Sequence, residues 1–300
     1  LMHEGSFVMT CSTVDIGEDI DHKVPVFGAT SILGFNLCRL FADRFHAYIP
    51  ARKTGRDDMP SSTLLLEDSD WIRDTLAGHS SSLLIYTHAI CHVGNCEKNP
   101  DWAYEINVNH IRRLMGVLPE QHRLVYVSSD HVFGEDGCYS EQSTPCPISV
   151  YGETRVAAEE LVLGRANTLV IRHGLPVGPS FDGRTGHLDW LRYRSENQLP
   201  LTLVEDEARS AVPIEALCER VVALAHSDEC GIRHVPATRL VSRPELAKVL
   251  SQRLNISPQF GRTTRAQQSA PHLGRIALRT DYAGLLSEPI VSAADCPMIG

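Results

Sequence analysis

The stretch Val24-Pro25-Val26-Phe27-Gly28-Ala29-Thr30-Ser31-Ile32-Leu33-Gly34 decides the fold. A short apolar run ends at Gly28, and Leu33, Leu37, Leu40, Phe41 and Phe45 then recur at helical spacing over Ile32 to Phe45. That is a strand, a tight turn and a helix. Pro25 has no N–H for a sheet ladder, so a central strand tolerates it only near the strand's first residue. Outward from this unit the alternation continues. Ala47 to Ala51, Thr63 to Leu66 and Ser82 to Thr87 read as strands, with a short helix at Trp71 to Leu76. A helix at Asp101 to Val117, a strand at Arg123 to Ser128, a helix at Tyr151 to Leu163 and a strand at Thr168 to Arg172 follow. Strands alternating with helices at this pitch predict an α/β fold, a doubly wound parallel sheet with helices on both faces.

Beyond His173 the pattern loosens around Pro176, Pro179, Gly183 and Gly186, with helices expected at Ile214 to His226 and Arg243 to Leu254. The chain divides on this reading into a leader at 1–22, a Rossmann domain at 23–173 and a smaller mixed α/β substrate domain at 174–300. Some strands of the latter return to the first sheet.

With 300 residues, 43% hydrophobic and 22% charged, the chain has ample material for a core, and it holds no uncharged apolar run of membrane-spanning length. Its 28 Lys and Arg against 37 Asp and Glu leave a net charge of −9, the opposite of a nucleic-acid-binding footprint. Leu1 to Cys11 lacks the positive start of a secretory signal, and the nine cysteines have no paired spacing, so the expectation is a cytoplasmic protein with reduced thiols. His88, Cys91, His92 and Cys96 do not match a zinc-finger spacing, and no metal is expected.

Gly28, Ser31 and Gly34 follow the G-x-x-G-x-x-G spacing with serine at the middle position. The first glycine makes the turn, the middle one admits a pyrophosphate to the backbone, and the last lets the helix pack closely. Thr30, Ser31, Ile32 and Leu33 are thus candidates for holding a dinucleotide at the helix N-terminus. After the second strand stand Arg52, Lys53 and Arg56, where a carboxylate would grip the ribose of NAD; cations suit a 2′-phosphate, so NADP(H) is favoured, with NAD(H) as the alternative.

The segment V-Y-V-S-S-D-H-V-F-G from Val125, followed by Tyr151-Gly152-Glu153-Thr154-Arg155, has an arrangement suited to carbonyl chemistry. Positions i and i+4 share a helix face, so Arg155 lies beside Tyr151, whose phenol needs a nearby cation to exchange protons near neutrality. Ser129 is placed to hydrogen-bond the substrate oxygen.

These residues resemble the extended short-chain dehydrogenase/reductases, and within them the dTDP-4-dehydrorhamnose reductase branch. The resemblance also runs through 95–109, 147–152, 199–206 and 231–235. It implies Ser129 as the polarising hydroxyl, Tyr151 as the general acid, Asn107 as a support of the active-site strand, and Arg155 in the place of a family lysine. It further implies that Thr87, His88 and Ala89 line the cofactor, that the segment from Arg172 to Pro176 flanks the nicotinamide, and that Leu65 replaces the usual acidic residue at adenine, with Leu66 beside it. His131 replaces a usual tyrosine. Arginine keeps the positive field but is larger than an ammonium and does not relay a proton.

Candidate substrate contacts are Asp130, His131, His173, Leu175, Arg184, His187, Arg192 and Arg209; the guanidinium groups among them match diphosphate geometry. The expected partner is a nucleotide-sugar, with no nucleic acid and no membrane, and the resemblance implies a homodimer. The leading reading is reduction of a nucleotide-linked keto-sugar by NADPH. Its alternatives are an epimerase or dehydratase using the same groups, and a non-catalytic NADP-binding regulatory subunit, since the branch includes a partner of methionine adenosyltransferase.

Overall fold

A computed structural model describes residues 22–296. The expected leader lies outside them except for its last residue. In chain order the first lobe runs β1 (Val24–Phe27), α1 (Ile32–Leu40), β2 (Phe45–Pro50), β3 (Ser61–Leu64), α2 (Ser69–Ala77), β4 (Leu83–Tyr86), α3 (Val93–Lys98), α4 (Pro100–Tyr104), α5 (His110–Val117) and β5 (Arg123–Val127). Then come β6 (Gly137–Tyr139), α6 (Val150–Leu163), β7 (Thr168–His173), β8 (Leu175–Val177), α7 (Gly186–Glu196), β9 (Leu201–Val204), β10 (Ala208–Pro213) and α8 (Ile214–Ala225). The chain continues through β11 (Gly231–Val235), β12 (Leu240–Ser242), α9 (Arg243–Arg253), β13 (Phe260–Thr263) and β14 (Arg275–Leu278).

Seven parallel strands form the main sheet in the order β11-β7-β5-β4-β1-β2-β3. Its central strands are apolar on both faces, as a sheet covered on both sides requires, and two separate cores result. One packs Leu33, Leu37, Val125 and Ile171 beneath α1 and α8; the other packs Tyr86, Ile111, Tyr126 and Val162 beneath α2, α5 and α6. Pro25 is harmless because pairing with β4 begins only at Val26. The order reverses between β1 and β4, which opens a crevice at the strand ends.

Two helix expectations need correction. The first helix ends at Leu40, and Phe45 already opens β2. The helix expected at 101–117 is interrupted by a π-turn at Glu105–Asn109, which no apolar spacing announces. The lobes exchange elements, in one direction as expected and in the other not. β11 completes the main sheet from the second half of the chain, while β6, from the first half, joins the second sheet, β12-β10-β14-β6 with β8 on β10. These strands are three to six residues long and only partly apolar, so their assignment depends on partners far along the chain. Among the described residues no helix is long and apolar enough to cross a membrane.

Candidate active site

A cleft of about 990 Å³ opens at the ends of β1, β4, β5 and β7 and reaches the second lobe. On its first side Thr30, Ser31, Ile32 and Leu33 lead into α1. Gly28 sits at φ 96°, and a Cβ there would lie 2.4 Å from the His88 backbone, so this position admits glycine alone. The middle position is different. Ser31 is extended at φ −67°, and its Oγ accepts the Gly34 N–H at 3.0 Å, so the serine caps the helix instead of straining the turn. Thr87 and Ala89 line the cleft, and Thr87 Oγ1 donates to the Gly28 carbonyl at 2.9 Å.

The other cofactor candidates divide between the cleft and other surroundings. Lys53 lines the cleft and Arg52 is exposed beside it, whereas Arg56 is bound to Asp58 at 2.7 and 2.9 Å. Leu66 is buried in the core with Tyr48, Ile72 and Leu76, so it offers no surface to a cofactor. His88 is buried and stacks on His110 rather than facing the cleft. Arg172 is also buried, paired with Glu159, whose carboxylate accepts from Ser128 too.

Ser129 stands two residues past the end of β5 and caps a short turn at Asp130–Val132. Tyr151 stands in the first turn of α6, where Ser149 accepts the Gly152 N–H at 3.1 Å. A Cβ on Gly152 would lie 2.3 Å from the His131 carbonyl oxygen, so glycine is what allows α6 to press on the Ser129 turn. The approach puts Tyr151 on the same cleft as Ser129, whose Oγ donates to Asp130 Oδ1 at 3.2 Å, and edge-on to the His131 ring at 5.1 Å. Burial pushes the phenol above its ordinary value, and Arg155 is the largest opposing influence. Tyr151 therefore carries its proton at neutral pH. Burial also lowers His131 to about 3 and His173 to about 4, leaving two neutral imidazoles in the cleft.

Asn107 does not touch the cleft. From the π-turn its amide takes the Ile90 N–H at 2.7 Å and donates to the Ile90 carbonyl at 3.1 Å and to Thr154 Oγ1 at 2.9 Å. It thereby ties the segment after β4 to the first turn of α6, a use for which π-turns recur near functional sites.

The opposite side of the cleft is an ion-pair chain that sequence reading resolves only in part. Arg209 lines the cleft but is committed to buried Asp130, with Nε at 2.8 Å from Oδ2 and a second bond from Nη2. Arg209 also lies 3.7 Å from Glu207, which accepts from Arg243 at 2.7 Å and contacts His272 at 3.2 Å. Arg243 reaches His187 Nδ1 at 2.9 Å. Glu207, Arg243 and His272 line the cleft and were not foreseen, because no local spacing links positions that many residues apart. Leu175 and His187 line it as expected positions, but Arg184 and Arg192 do not: Arg184 lies over the Tyr193 ring and Arg192 pairs with Asp189. Arg192 is on the face of α7 that turns from the cleft, whereas Arg184 stands in the loop before α7.

The residues present fit a nicotinamide dinucleotide. The capped N-terminus of α1 offers backbone N–H groups, and buried Arg155 presents Nε and Nη1 without a protein partner on the same cleft. Such unfilled donors suit ribose hydroxyls. Among the described residues no group of three or more His, Cys, Asp or Glu is arranged to hold a metal.

The chain is 26% identical over 234 residues to the spore coat polysaccharide biosynthesis protein SpsK of Bacillus subtilis (strain 168), covering 77% of this chain and 78% of that protein. It is 28% identical over 151 residues to methionine adenosyltransferase 2 subunit beta of Pongo abelii, covering 48% and 43%. The dTDP-4-dehydrorhamnose reductase of Bacillus anthracis str. Ames, solved in complex with NADP, superposes with a TM-score of 0.77 at 20% identity, covering 92% and 96%. A family model described as the RmlD substrate binding domain matches residues 22–292, and the chain belongs to that family, the dTDP-4-dehydrorhamnose reductase-like branch of the extended short-chain dehydrogenase/reductases.

Proposed function

We propose that the chain is an NADP(H)-dependent reductase of a keto group on a nucleotide-linked sugar of the dTDP-4-keto-6-deoxy type. The observation that carries this reading is the pairing of Ser129 and Tyr151 on a cleft that the N-terminus of α1 also faces. NADPH, when bound, supplies the hydride. Ser129 Oγ donates a hydrogen bond to the keto oxygen, and Tyr151 Oη gives it the proton. The buried Arg155 guanidinium offsets the negative charge left on Tyr151. Neutral His131 and His173 bound the reacting oxygen without adding charge.

A proton donor must hold its proton at working pH, and the burial-raised Tyr151 meets that condition. Reduction is therefore expected to be level through neutral pH and to fall only as pH rises past the ordinary tyrosine value of 10.0. A second reading, a non-catalytic NADP-binding subunit, is supported by Arg155 in the lysine position and by the similarity to the methionine adenosyltransferase subunit.

The test is loss of NADPH absorbance with a dTDP-4-keto-6-deoxysugar, run beside NADH and a blank without sugar. Sugar-dependent loss that drops roughly 10²–10⁴-fold in Tyr151→Phe supports the reductase. Binding of NADPH without any loss, together with a stoichiometric protein partner, moves the assignment to the second reading. Sugar conversion without net loss of NADPH makes it an epimerase.

A further inference from the structure

Arg155 is only 3% exposed, and no carboxylate bonds it. The nearest acidic neighbour on its helix, Glu159, is taken by Arg172 and Ser128. What Arg155 has instead is the Val127 carbonyl, which accepts from Nη2, and two aromatic rings. Its guanidinium carbon lies 4.7 Å from the centroid of Tyr126 and 5.9 Å from that of Tyr151. Tyr126 is backed in turn by Tyr86, its register partner on β4, at 5.8 Å and 26°. Both rings are fully buried.

An unpaired buried cation is costly, and the negative face of an aromatic ring is one of few groups that offset that cost in a dry site. A lysine ammonium at the same position would be a compact point charge on a flexible stem, needing no such surface, whereas a planar guanidinium stacks. Two tyrosines at paired register positions of adjacent strands supply that surface directly beneath the charge.

We propose that Tyr126, supported by Tyr86, is the positioning residue for Arg155, and that ring and guanidinium act as one unit in holding positive charge against Tyr151. The inference rests on the reading of Tyr151 as the proton donor, but its test needs neither substrate nor cofactor. Without the ring the guanidinium loses one of its contacts, its mean distance from the phenol grows, and the phenolate becomes less favourable.

Two measurements on the full chain test this. Tyr151 is titrated by ultraviolet difference, each variant against its own Tyr151→Phe partner, and the Arg155 Nε–H resonance is followed by NMR at neutral pH. Tyr126→Leu is expected to raise the Tyr151 midpoint by about one pH unit, tenfold in the phenolate ratio, and to remove the ring-current shift of the Arg155 resonance. Tyr126→Phe keeps the ring face and is expected to leave both readings unchanged. In an Arg155→Met background Tyr126→Leu is expected to add no further shift. Tyr126→Met replaces Tyr126→Leu if circular dichroism shows the latter unfolded. An unchanged midpoint in a folded Tyr126→Leu or Tyr126→Met protein overturns the proposal, as does an equal shift with Arg155 already removed. Failure of every keto-sugar assay with these shifts present would count against the proposed reaction and leave the positioning role intact.

Discussion

The two sides of the cleft are built on different principles. The side proposed for the cofactor is mostly backbone: a glycine turn, a capped helix end and Thr87 tying the turn to β4. The side proposed for the substrate is made of charged side chains locked to one another, from Asp130 through Arg209, Glu207 and Arg243 to His187. A backbone site is made by neighbours in sequence and tolerates little change at one residue. A charged site is made by distant residues and depends on each partner being present. Removing one member of a buried pair leaves the other as an uncompensated charge, so the sides should fail in different ways when mutated.

The largest effect is expected from Asp130→Ala, which leaves the Arg209 guanidinium buried beside Glu207 alone. Urea unfolding should show a loss of about 3–5 kcal/mol, and Asp130→Ala combined with Arg209→Met should lose less. Equal losses in the single and double variants would mean that the pair does not behave as a unit.

Glu207→Gln comes next, at about 1.5–3 kcal/mol near neutrality. Burial raises the Glu207 carboxyl, but Arg243, the His272 bond and Arg209 outweigh it and hold the group well below its ordinary 4.5. Since the folded value lies below the unfolded one, this stability is fully present above about pH 4.5 and is lost as pH falls through the folded value. The gap between wild type and Glu207→Gln should therefore close in acid, and a gap independent of pH would remove Glu207 from the electrostatic account.

Gly28→Ala sets the backbone side against these. Its positive φ and the His88 backbone make the methyl group strained, at about 1–3 kcal/mol. NADPH affinity measured by fluorescence should fall with it, whereas Asp130→Ala should spare affinity wherever the protein stays folded. The smallest effect is expected from Lys53→Ala, a loss of roughly tenfold in NADPH affinity with NADH affinity unchanged, in line with one charged hydrogen bond to the 2′-phosphate. Equal losses for both nucleotides would place Lys53 elsewhere on the cofactor.

The same contrast explains what was readable in the chain. Gly28, Thr30, Ser31, Ile32 and Leu33 stand together in sequence, and Tyr151 and Arg155 are one helical turn apart, so spacing alone brings each group to one place. The structure brings Ser129 to Tyr151 through the close approach of Gly152 to the His131 carbonyl, which is visible only once α6 and the Ser129 turn are packed. Arg184 and Arg192 look like substrate contacts in a basic segment, yet Arg184 lies over Tyr193 from the loop before α7 and Arg192 pairs with Asp189 along the helix, and composition does not record such placement. Leu66 follows its apolar character into the core instead of the adenine position.

Local information was enough for the succession of main-sheet strands in the first lobe, the parallel sheet, the glycine turn and the Tyr151–Arg155 face. Each depends on periodicity or on residues within one turn of each other, and backbone geometry converts such spacing directly into position. Packing alone assigned β11 to the main sheet and β6 to the other, inserted the π-turn that aims Asn107, and joined Asp130 to Arg209 across 79 positions. Those features are set by which surfaces and charges meet once distant segments are brought together, and a linear pattern carries no distance between them.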